Sequence, residues 1–67
     1  MDDISVNGEA RAIPPGQTVA ALLSLLGLDP RKVAVERNEA IVARSLYDAT
    51  PLSAGDQIEI VHFIGGG

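Results

Sequence analysis

Apolar Ile4 and Val6 sit between polar neighbours at the start of the chain, an alternation of period two that predicts a half-buried strand running into Asn7-Gly8. That dipeptide accepts the positive φ angles of a two-residue hairpin turn, so a second, antiparallel strand is predicted after it. Two-residue pairing puts Ile13 on the face of Ile4 and Val6. It also puts Arg11 there, with its aliphatic stem along the core and its charge in water. A one-residue slip would invert the second strand, and the two-residue register is preferred. Pro14-Pro15-Gly16 ends the pairing, because two prolines remove backbone donors and the glycine permits a sharp change of direction.

Beyond this point the period lengthens. Val19, Leu22, Leu23 and Leu26 recur at i, i+3, i+4 and i+7 and predict one apolar stripe of an α-helix, with Thr18 as its N-cap. Gly27 ends the helix, Leu28 is placed to pack back on the final turn in a Schellman arrangement, and Asp29-Pro30 prevents continuation. Two to three turns are marginal in isolation, so the helix must lie against a sheet. Lys32 to Glu36 predicts a strand, Asn38-Glu39 a turn, and Ala40 to Ala43 a short partner strand. Residues 45–54 mix single apolar positions with Asp48, Thr50 and Pro51, the pattern of an irregular crossover or a short 3₁₀ turn. Gly55-Asp56 then turns the chain into Gln57 to Phe63, the clearest strand in the sequence.

Strands in runs separated by one helix predict an α+β fold, a single mixed sheet of about four to five strands with one main helix packed across it. The ubiquitin-like β-grasp arrangement fits this order, with the first and last strands parallel and side by side. Residues 1–64 are expected to form one domain and residues 65–67 a flexible C-terminal glycine tail. At 67 residues there is room for one modest core. Cysteine is absent and His62 is the only histidine, so neither a disulfide framework nor a thiol nucleophile is available. Aromatic residues make up 3% of the chain, so the packing is expected to come from Val, Ile, Leu and Ala.

Nine acidic against five basic residues give a net charge of -4, which disfavours phosphate backbones, so no nucleic-acid partner is expected. The acidic positions Asp2, Asp3, Glu9, Asp29, Glu36, Glu39, Asp48, Asp56 and Glu59 are scattered. They read first as a solvated surface and second as a face for a basic protein partner. No apolar run approaches the ~18 residues of a membrane span, and the acidic start is unlike a signal peptide. No membrane association and a cytoplasmic location follow as expectations.

Enzyme motifs are missing. There is no Cys/His pair, no glycine-rich loop followed by Lys-Ser/Thr, and no second histidine for a metal site, so no metal site is expected. His62 reads as an ordinary strand residue before a ligand or a general base, and none of the serines has a histidine base at a recognisable position. The terminus is the remaining candidate. Ile64-Gly65-Gly66-Gly67 follows the last strand as a string without side chains that ends in a carboxylate. Three extended residues reach about 10 Å, enough to thread a narrow opening in a partner. A frayed end is the plain alternative. An ionised carboxylate is a poor electrophile, and a nucleotidyl group would convert one of its oxygens into a leaving group.

Asn7-Gly8, Thr18-Val19 with Leu22-Leu23, Ala34-Val35-Glu36-Arg37-Asn38 and above all the run from Gly55-Asp56 to Gly65-Gly66-Gly67 resemble the sulfur-carrier family of bacterial thiamine biosynthesis over essentially the whole chain. The resemblance implies a ubiquitin-like β-grasp fold and a carrier, not an enzyme. It further implies that the Gly67 carboxylate is adenylated and converted to a thiocarboxylate, whose sulfur goes to the thiazole ring of thiamine. It implies a ThiF-like adenylyltransferase that uses ATP, a ThiG-like thiazole synthase and a persulfide sulfur donor as partners. No cofactor is expected on this chain. Gly66 and Gly67 match the terminal pair, and Gly65 and Gly66 are expected to thread the partner's active site. Phe63 and Ile64, two large apolar residues where the strand leaves the core, are expected to help form a docking patch, the alternative being that Phe63 closes the core. Carriers serving molybdopterin, tRNA thiolation or cysteine synthesis share the tail chemistry. A ubiquitin-like protein modifier and a plain β-grasp interaction domain are the further alternatives.

Overall fold

The computed structural model describes residues 1–63. The predicted N-terminal hairpin forms from β1 (Asp2–Val6) and β2 (Glu9–Ile13). Val6 faces Glu9, Ile4 faces Arg11 and Asp2 faces Ile13, which is the two-residue register. Asn7 at φ 50° and Gly8 at φ 84° supply the two left-handed residues this tight turn needs. Ile4 and Ile13 are buried, whereas Arg11 is exposed along with the rest of β2 up to Ala12. Arg11 shares the face of Ile4, as the register requires, but β2 is an edge strand and only its last residue is buried in the packed interior.

Helix α1 (Val19–Leu25) begins at Thr18, whose hydroxyl accepts the Ala21 N–H. It ends in the predicted Schellman arrangement: the Leu28 N–H donates to the Leu23 carbonyl at 2.9 Å and the Gly27 N–H to the Ser24 carbonyl at 3.1 Å. Gly27 sits at φ 72°, where a side chain would be strained. Val19, Leu22 and Leu23 are buried, and Leu26 and Leu28 pack against the core from its margin.

A 3₁₀ turn over Pro30–Lys32 leads into β3 (Val33–Arg37), so Lys32 precedes the strand it was expected to open. Asp29 caps that turn, and Arg31 holds its carboxyl down at about 2 through side-chain and backbone hydrogen bonds. Asn38 and Glu39, both at positive φ, turn the chain into β4 (Ala40–Val42), with Ala43 just past its end. A second 3₁₀ turn, Arg44–Leu46, lies in the expected irregular crossover, and β5 (Gln57–His62) follows.

The five strands lie in the order β2-β1-β5-β3-β4. β1 and β5 run parallel at the centre and the other neighbours are antiparallel. One sheet face supplies Ile4, Ile13, Val33, Val35, Ile58 and Ile60 to the core, which the helix stripe closes. Each fully buried aliphatic side chain contributes about 1.5–3 kcal/mol. The expected composition of the core holds for Val, Ile and Leu and needs one correction, Tyr47. Alanine contributes only from the margin, where half-buried Ala20 packs against the core. Tyr47 is among the buried residues, because its hydroxyl donates to the Val33 carbonyl at 3.2 Å and is thereby satisfied when buried.

Candidate functional site

Strand β5 is the last element before the C-terminal residues of the sequence, and the structure fixes it from both sides. On one side β1 pairs with its first half only: Ser5 N–H donates to the Asp56 carbonyl at 3.0 Å and Asn7 N–H to the Ile58 carbonyl at 2.8 Å. β1 then turns away at Asn7, while β5 continues to His62. The Asn7 side chain takes over where the backbone leaves. Its Oδ1 accepts the Ile60 N–H at 2.8 Å and its Nδ2 donates to the Ile60 carbonyl at 3.1 Å. A primary amide has one donor group and one acceptor in the geometry of a peptide, so it stands in for the missing strand residue. On the other side, the Phe63 N–H donates to the Lys32 carbonyl at 2.9 Å, extending the β3 pairing one residue past the strand.

The start of β5 is held by a second cluster. Asp56 was expected on a solvated surface but is buried, at 5% exposure. Arg37 Nε donates to its Oδ2 at 2.8 Å, Asn38 Nδ2 to its Oδ1 at 3.0 Å, and the Ser53 N–H to Oδ2 at 2.8 Å. Asn38 Oδ1 also accepts the Gln57 N–H at 2.9 Å. Burial pushes the Asp56 carboxyl up, but the bonds from Arg37, Ser53 and Asn38 outweigh it and hold the group below the usual carboxylate range. A buried carboxylate with this many donors is satisfied, which is why it can leave water. Its role is structural: it locks the turn that launches the tail-bearing strand.

At the exit, Phe63 is 52% exposed and therefore does not close the core. Val61 is exposed as well, and His62 is an exposed strand residue. Ile64, Gly65, Gly66 and Gly67, on which the docking, threading and sulfur-carrying assignments fall, lie outside the described residues. Sequence reasoning missed the side-chain roles of Asn7, Arg37, Asn38 and Asp56. One available signal was that both hairpin turns open with Asn, whose amide can pair with a neighbouring strand as well as accept positive φ. Among the described residues there is no group of three potential metal ligands, and no helix is long and apolar enough to cross a membrane.

A five-stranded mixed sheet with parallel first and last strands, crossed on one face by a single helix, defines the class: a ubiquitin-like β-grasp domain. It superposes on the crystal structure of the thiamine biosynthesis protein ThiS from Geobacter metallireducens with a TM-score of 0.84 and 34% identity, covering 97% of this chain and 99% of that one. The family model for the ThiS family matches residues 4–67, and the chain belongs to that family. It is 44% identical over 50 residues to the sulfur carrier protein ThiS of Bacillus subtilis, covering 75% of this chain and 76% of that protein. It is also 55% identical over 64 residues to a thiazole synthase of Magnetococcus marinus, covering 96% of this chain. The chain spans 20% of that protein's length.

Proposed function

We propose that this chain is a sulfur carrier for thiamine biosynthesis whose reactive group is the Gly67 carboxylate. In the chemistry we assign to it, a ThiF-like adenylyltransferase brings a carboxylate oxygen to the α-phosphorus of ATP and pyrophosphate leaves. Sulfur from a persulfide donor displaces AMP at the acyl carbon, and a second thiol cleaves the S–S bond to leave a thiocarboxylate. A ThiG-like thiazole synthase then takes that sulfur into the thiazole ring. The chain itself catalyses nothing. It supplies the terminus and a surface to hold, and the ATP-dependent chemistry belongs to the cytoplasm. Membership of the ThiS family over residues 4–67 carries this reading, and the thiazole-synthase relatives support the choice of recipient. The absence of cysteine agrees with it, since no side chain here can hold sulfur as a persulfide.

Gly65 and Gly66 are assigned to threading the partner's active site, and Phe63 and Ile64 to docking. The test is intact-mass measurement after incubation with ATP, the candidate adenylyltransferase and a sulfur donor. The full chain is expected to exchange one oxygen for sulfur, and a chain lacking Gly66-Gly67 to stay unchanged. An unmodified full chain with a competent enzyme contradicts the reading. Ile64→Ala should slow activation, and an unchanged rate would remove Ile64 from the docking surface.

A further inference from the structure

Strand β2 has β1 on one side and, among the described residues, no strand on the other. The hydrogen bonds of β1 settle which groups of β2 are left over. Ser5 and Asn7 turn their N–H groups toward the Asp56 and Ile58 carbonyls, and the Asp3 carbonyl accepts the Gly55 N–H. Ile4 and Val6 therefore turn their backbone groups toward β2, where Arg11 and Glu9 stand opposite them. Ala10 and Ala12, the residues between, direct N–H and C=O groups outward from the edge. Both are exposed, and their methyl side chains leave room for a second backbone. Neither a proline nor a bulge interrupts Glu9–Ile13.

Charge on such an edge ordinarily deters a second strand. Here Glu9 and Arg11 have opposite sign and share one face of β2, so the register decides whether they repel or attract. Both are exposed, and among the described residues neither belongs to an ion pair. A second copy of β2, antiparallel on a two-fold axis, must bring outward-directed residues together. Centred on Ala12, it sets Ala10 against Pro14, which has no N–H to offer. Centred on Arg11, it pairs Ala10 with Ala12 but sets the two arginines directly opposite each other. Centred on Ala10, it sets Glu9 of each copy against Arg11 of the other, and Ala10 exchanges both of its backbone bonds with Ala10 of the second copy.

We propose that the chain forms a reversible two-fold dimer through β2, antiparallel and centred on Ala10, with Glu9 of each copy paired to Arg11 of the other. The axis stands perpendicular to the sheet, so the two sheets become one and both helices lie on the same side. β5 stays two strands in from the seam, so the dimer leaves the strand before Gly65-Gly66-Gly67 uncovered in each copy. Each copy has a net charge of -4, but beyond a Debye length of about 8 Å at physiological salt that general repulsion is screened, whereas directly opposed pairs are not. Two short strands bury less than the roughly 1,200 Å² of a stable interface, so the dimer is a weak one.

The test is sedimentation equilibrium of the full chain from micromolar to millimolar concentration at physiological salt, with melting of each variant at the dilute end. The parent should pass from monomer to dimer as its concentration rises. Glu9→Arg and Arg11→Glu should each weaken dimerisation by roughly tenfold or more, and the double reversal should restore it to within about threefold of the parent. Melting at the dilute end should stay within a few degrees, since both positions are exposed. Because the chain has no cysteine, thiol cross-linking reads the register directly. An equimolar mixture of Glu9→Cys and Arg11→Cys under mild oxidation should give more of the mixed disulfide than of both homodimers combined. The mixed pair keeps the second Glu9–Arg11 contact, and these partners form no backbone bonds to each other, which brings their Cβ atoms close. A parent that stays monomeric at millimolar concentration would overturn the proposal. So would single reversals that dimerise like the parent, a double reversal that dimerises no better than the singles, or Arg11→Cys cross-linking to itself in preference.

Discussion

Replacing Asn7 with glycine keeps the positive φ of the turn and deletes both amide bonds to Ile60. Asn7→Gly is therefore expected to cost about 1–2 kcal/mol and to speed hydrogen exchange at the Ile60 amide selectively. Unchanged protection there would show that the amide does not hold the strand. Asp56 makes the other single-residue prediction. Its folded pKa lies below the unfolded value, so the stability it contributes is complete above the ordinary carboxylate midpoint and is lost as pH falls through the folded value. Asp56→Asn should lower stability at neutral pH by about 1–3 kcal/mol, since Arg37 loses its charged partner and one donor faces another. The variant's stability should also vary less with pH on the acid side, which denaturant titrations at several pH values would reveal. An equal acid dependence in parent and variant would mean that another carboxyl governs it.

At the level of elements, the helix depends on its two ends because seven residues are too few to stand alone. Thr18→Ala removes the cap bond to Ala21, and Gly27→Ala forces a side chain into a left-handed backbone. Each should cost about 1 kcal/mol, measured as a lower urea midpoint with an unchanged slope. These ends were legible in the sequence because their signals are local: a hydroxyl before an apolar stripe, a glycine after it. The hairpin register was legible for the same reason, since Asn7-Gly8 sets it across a two-residue turn. The bonds that anchor β5 were not. Asn7 and Ile60 are 53 residues apart and Arg37 and Asp56 19 apart, so no short-range pattern marks them, and Asp56 in isolation looks like any charged turn residue. Tyr47 was legible only as an isolated apolar position of the crossover, because the crossover's path alone brings it under Val33.

For the whole molecule, the two sheet faces have different duties. One is closed by the helix and holds the domain together, and the other is open, beside the strand from which Gly65-Gly66-Gly67 continues. This division predicts that Phe63→Ala, at a half-exposed position outside the core, reduces the rate of activation by a partner while leaving the melting temperature nearly unchanged; a large loss of stability would place Phe63 with the core instead. The proposal that the terminal carboxylate carries the sulfur rests on the sequence alone, on the absence of cysteine and on the residues from Gly65 to Gly67. The make-up of the open sheet face could not be read that way, since it exists only when β5, β3 and β4 are brought into register. The account stands most directly on where the sulfur goes. With a persulfide donor labelled in heavy sulfur, ATP and the adenylyltransferase, fragment mass spectrometry should find the label on Gly67 alone, and addition of thiazole synthase should move it into the thiazole product. Label on any other residue, or none on this chain while the thiazole becomes labelled, would contradict it.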